Sequence, residues 1–90
     1  MAIVVKFSVS GMSLDKYEKV LAQLESAGAG APAGRLHHVS YGSRESVQVI
    51  DVFDSKQSLD AFGKTLVPIL AEMGIKAQPE VFEAFKVIRG

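Results

Sequence analysis

Cysteine is missing from all 90 residues, which rules out disulfides, thiolate metal sites and cysteine nucleophiles and leaves the redox compartment open. There is no excess of either charge. Ten Lys and Arg offset ten Asp and Glu, so no field of one sign is available to draw nucleic acid or an anionic membrane. No apolar run approaches the roughly 18–20 residues that a membrane-spanning helix needs. The segment MAIVVKFSVSG lacks the basic leader and small-residue cleavage site of a signal peptide. A cytoplasmic protein with no membrane or nucleic-acid partner is the expectation. Phosphate-loop, HExxH and nucleophile-elbow motifs are absent, and no acidic cluster suits a divalent ion, so neither a metal nor a cofactor is expected.

What the chain does have is hydrophobic surface: 48% of its residues are apolar. In Val47–Phe53, VQVIDVF, both parities of a period-two pattern carry apolar side chains, which predicts a strand covered on both faces. Asp54 or Ser55 then offers an N-cap, with Gln57 placed to complete a capping box. Leu59, Phe62, Leu66, Ile69, Leu70 and Met73 follow at helical spacing until Gly74. Pro68 predicts a kink or break in that helix, because it has no N–H and crowds the Lys64 carbonyl. Gly63, beside Phe62, suits either a close helix-to-sheet approach or room for a ligand.

Residues 2–9 read as a first strand. Ser13 caps a helix whose stripe is Leu14, Tyr17, Val20, Leu21 and Leu24. The segment 28–34, GAGAPAG, formally fits a dinucleotide fingerprint, but a helix precedes it and a strand follows, so it reads as a loop. Residues 35–41 and 47–53 form a hairpin, Pro79 marks a loop, and residues 81–88 give the last strand. With right-handed crossovers this order folds into an α+β, ferredoxin-like βαββαβ domain over residues 1–90, a four-stranded antiparallel sheet with two helices on one face. RNA-recognition domains share that order, but VQVIDVF lacks their basic and aromatic signature. The face without helices is apolar as well, so a homodimer through the sheet is expected.

Gly34, His38, the segment Asp51-Val52-Phe53-Asp54-Ser55, Phe62, the step Leu66-Val67-Pro68 and Gly74 together resemble the dimeric α+β barrel superfamily. The likeness is to a small branch related to the antibiotic biosynthesis monooxygenases. It implies a dimeric α+β barrel and, if the protein is an enzyme, a cofactor-independent oxygenase acting on a polycyclic phenol. Relatives often carry tryptophan where this chain has Phe53, so an indole N–H is missing here.

His37 and His38 are adjacent on a strand and should point to opposite faces, which excludes a shared metal ion. His38, the position that matches the relatives' histidine, belongs in the cleft between sheet and helices if Leu36 and Ser40 share its face. It is there either as a structural anchor or as a polar group and base for a bound phenol. His37 would face the dimer or solvent. Tyr17, Phe53, Phe62 and Leu66 are candidates to line the same cleft around a small apolar or aromatic ligand, or simply to fill the core. Asp51 pairs across the hairpin, sits at the dimer seam or partners the cleft histidine, since a lone buried charge is costly. A ligand-binding or accessory protein is expected ahead of an enzyme, and an open cavity beside His38 would favour the enzyme.

Overall fold

The computed structural model describes residues 1–88. Its elements are β1 (Ile3–Ser10), α1 (Leu14–Ser26), β2 (Arg35–Gly42), β3 (Val47–Phe53), α2 (Lys56–Glu72) and β4 (Lys76–Glu83). The strands form one antiparallel sheet in the order β2-β3-β1-β4, the ferredoxin-like arrangement that the element order implies.

Alternation along the strands sorts side chains onto two faces. Ile3, Val5 and Phe7 of β1 and Val47, Val49 and Phe53 of β3 are buried in one cluster with Tyr17, Val20 and Leu24 of α1 and Leu59, Phe62 and Ile69 of α2. Val5 and Phe53, fully buried, anchor that layer, each contributing about 1.5–3 kcal/mol through burial. On the opposite face Val4, Ile50 and Val52 are half-buried, whereas Val39 and Phe82 keep 53% and 50% of their surface exposed. Residues 84–88 line a shallow concavity with Val4, His37 and Val52 at one end of this face. Phe85, at 93% exposure, nonetheless points away from cover.

Both helices start as their sequences suggest. The Ser13 hydroxyl accepts from the Lys16 N–H, and the Ser55 hydroxyl accepts from the Ser58 N–H at 3.2 Å. Ser58, rather than Gln57, completes the second cap. Asp54 Oδ1 accepts from the Ser58 and Ser55 hydroxyls at 2.6 and 3.1 Å, and these bonds hold its carboxyl below its ordinary pKa. The start of β2 closes onto this cap through the Asp54 N–H, which donates to the Gly34 carbonyl at 2.7 Å. Gly34 has φ +85°, and a Cβ there would strike the Ser58 hydroxyl and the Asp54 carboxylate. Only glycine fits both requirements.

Three expectations are corrected. Of the kink or break expected at Pro68, the break does not occur: α2 runs on through Pro68, and Pro68 and Lys64 are both on the exposed side, where water can satisfy the freed carbonyl. The last strand is Lys76–Glu83, not residues 81–88, and Pro79 lies inside it, paired with Phe7. Proline is tolerated there because β4 is an edge strand, whose outward groups need no ladder partner. Leu36 does not simply share the face of His38: the β2–β3 register shifts between Arg35 and His37, leaving Leu36 as the extra residue of a bulge.

The β1–β3 ladder runs from Ile3–Phe53 to Phe7–Val49 and then gives way to a side chain. The Gln48 amide accepts from the Val9 N–H at 2.8 Å and donates to the Val9 carbonyl at 2.9 Å, replacing the backbone of a missing rung.

Candidate functional site

His38 pairs directly with Asp51 in the β2–β3 register, which puts both side chains on the helix-covered face. His37 pairs with Val52 on the opposite face, so the two histidines diverge as their adjacency requires. Above the sheet, the first turns of α1 bring Tyr17 over the same spot. His38 Nδ1 lies 2.5 Å from Asp51 Oδ1, and His38 Nε2 lies 2.6 Å from the Tyr17 hydroxyl. A carboxylate only accepts, so Nδ1 donates to Asp51, and in the neutral ring Nε2 then accepts from the phenol. The result is a directed chain from Tyr17 O–H through the imidazole to Asp51, tying α1, β2 and β3 together.

Asp51 is 2% exposed and, among the described residues, is the one buried charged side chain. Its bond to His38 satisfies it; among the described residues no buried side-chain polar atom lacks a partner. The structural role envisaged for His38 is therefore met. Both ring nitrogens are engaged, so the imidazole itself has no free polar atom, whereas the Tyr17 oxygen keeps lone pairs available to a ligand.

Next to this chain is a cavity of about 50 Å³ between sheet and helices. Tyr17, His38, Asp51, Phe62 and Leu66 line it, with Val20, Leu24, Phe7 and Val49 among the apolar remainder. Of the side chains proposed from the sequence, Tyr17, His38, Phe62 and Leu66 come together here. Phe53 does not reach the cavity: it is fully buried behind Phe62, ring centroids 5.8 Å apart. A space that holds one aromatic ring measures about 150 Å³, so the cavity as it stands admits small molecules such as water, and a ring only if its wall moves.

Arg35 was not foreseen. Its guanidinium lies 5.8 Å from the Phe62 ring centroid, donates to the Gly30 carbonyl at 3.2 Å and lines the cavity. Strict alternation would put Arg35 on the face opposite His38; the bulge at Leu36 turns it inward. Nothing in the residue pattern announces that bulge. The described residues hold no group of three or more histidine, cysteine, aspartate or glutamate side chains arranged to bind a metal.

No protein-family model matches the chain, and no curated protein matches it by sequence. Solved structures do. SnoaB, a cofactor-independent oxygenase from Streptomyces nogalater, superposes with a TM-score of 0.61 at 18% identity over 99% of this chain and 96% of its own. A Deinococcus radiodurans protein provisionally named an antibiotic biosynthesis monooxygenase gives 0.65 at 12% identity over 99% and 97%. One from Chloroflexus aurantiacus, provisionally named in the same way, gives 0.63 at 16% over 98% and 95%. At these identities the likeness is one of fold, and the chain has the ferredoxin-like α+β fold of proteins related to the antibiotic biosynthesis monooxygenases.

Proposed function

We propose that the protein binds a small aromatic ligand carrying an acidic hydroxyl in the space between sheet and helices, and does so as a homodimer. The observation that carries this reading is the Tyr17–His38–Asp51 chain on the wall of an apolar cavity. A ligand site of this kind needs few polar groups, but they must be placed, and here a buried carboxylate fixes the orientation of an imidazole that fixes a phenol. A ligand hydroxyl would donate to the Tyr17 oxygen. The apolar open face, with Val39 and Phe82 half-exposed, supports pairing of two sheets.

Titration calorimetry with phenol and 2-naphthol tests the ligand. The expected result is binding to the intact protein that weakens by about tenfold in Tyr17→Phe, a loss of one hydrogen bond to the ligand. His37→Ala should bind as the unaltered protein does. Equal losses in both variants would remove the chain from the site.

The second reading is a cofactor-independent oxygenase, favoured by the shared fold with SnoaB and by the direction of the chain. The ligand hydroxyl would pass its proton to Tyr17 as the Tyr17 proton moves to His38 Nε2. That leaves an imidazolium held by Asp51 and an electron-rich anion able to reduce dioxygen. Oxygen uptake in the presence of a polycyclic phenol, abolished in His38→Gln, would distinguish catalysis from binding alone.

A further inference from the structure

Gly63 lies in the middle of α2, where glycine is a poor choice for a helix, and its lack of a side chain serves no close packing: a Cβ built there meets nothing within 4 Å. The expected close approach of helix to sheet is thus absent. Instead, Gly63 lines a groove of about 280 Å³ between α2 and the β4 edge, walled on the far side by Pro79 and Val81. This groove and the cavity beside His38 share the side chains of Phe7, Phe62, Leu66, Leu70 and Ala77. Side chains alone divide them. Leu66 and Leu70 are the half-buried members of that partition on α2, and Leu66 is the nearer to Gly63, one turn along the helix.

We propose that the groove over Gly63 is the second compartment of the ligand site: it receives the apolar body of a two-ring phenol, whose hydroxyl reaches Tyr17 once Leu66 turns aside. The proposal rests on the ligand-binding reading above and adds the size and route of the ligand. Volume decides the point. The inner cavity, about 50 Å³, is too small for a ring that needs about 150 Å³, whereas the groove exceeds that need. At the rim Lys56 and Asp60 pair at 3.0 Å, so the part of the ligand lying there meets no unbalanced charge. Gly63 and Leu66 then set ligand size, Gly63 by leaving the groove open and Leu66 by closing the way inward.

The test is calorimetric binding of 2-naphthol and phenol to the full chain and to Gly63→Leu, which fills the groove from the helix, and Val81→Phe, which fills it from the strand. Gly63→Leu should melt no lower than the unaltered protein, because leucine replaces glycine in a helix. Both variants should lose about tenfold or more in affinity for 2-naphthol. Leu66→Ala, which joins the compartments, should bind it more tightly. If the unaltered protein binds 2-naphthol and both filled variants bind it equally well, the groove is not part of the site, although the ligand-binding reading survives. If the unaltered protein binds neither compound, that reading fails and the groove proposal falls with it.

Discussion

Along β3, Asp51 and Phe53 lie under the helices, while Ile50 and Val52, one residue away on the same strand, lie on the open side. The covered side contains the one buried charge among the described residues, and the open side is apolar at its centre. A single-layer protein would show the reverse, with polar groups toward water and none within. A polar group is kept where it costs most because the His38 ring pairs with it there. The apolar surface is left open where, on the reading proposed, a second copy covers it. The covered face is completed by the chain itself, and the open face, on the reading proposed, is left to a partner.

The strongest way to break that comparison is to strip the covered side of its pairing. His38→Ala leaves the Asp51 carboxylate buried without a partner, and should lower unfolding stability by about 3 kcal/mol in urea titration. A loss below about 1 kcal/mol would mean that water reaches Asp51 easily and that the pair is not an internal one. On the open side, Phe82→Glu should leave the fold intact but weaken self-association by about 2 kcal/mol, some thirtyfold, visible by light scattering. A protein that remains at twice the chain mass after this change pairs through another surface. Tyr17→Phe sharpens the contrast within the covered side. It leaves Nε2 without its donor and should cost about 1 kcal/mol, since His38 is partly open to water.

The smallest effect belongs to the cap of α2. Asp54 has a lowered pKa in the folded protein through the Ser58 and Ser55 hydroxyls, so the unfolded chain binds more protons at acid pH. The stabilisation is present above the ordinary carboxylate pKa and is lost as pH falls below about 4. Asp54→Asn should flatten the fall in melting temperature in that range and lower the melting temperature slightly at neutral pH, where the stabilisation is fully present. An unchanged acid slope would mean that Asp54 does not contribute.

The two helices were readable because their boundaries have local chemical causes. Ser13 and Ser55 supply hydroxyls to free N–H groups, Gly74 takes φ +70°, and apolar spacing separates helix from strand. The start of β4 was not readable, because Pro79 is permitted only by the position of its strand at the sheet edge, and edge or centre is a tertiary fact. Pro68 is similar: its effect depends on whether the Lys64 carbonyl faces water. At the site, the two parities of His37 and His38 follow from adjacency alone. Their meeting with Asp51 depends on register across the hairpin, and the meeting with Tyr17 on the seat of α1. Arg35 depends on a bulge that no residue type marks. Local causes were legible, and relations between distant segments were legible only where alternation propagates them.

Gln48 carries one more consequence. The β1–β3 seam ends in a rung built from an amide side chain, and Val9, which it holds, also borders the inner cavity. A carboxamide can rotate away while the strands stay in place, so this corner can breathe without global unfolding. The Val9 amide should therefore exchange with deuterium sooner than backbone-paired neighbours deeper in the ladder, making one corner of the sheet a permeable seam beside the buried phenol.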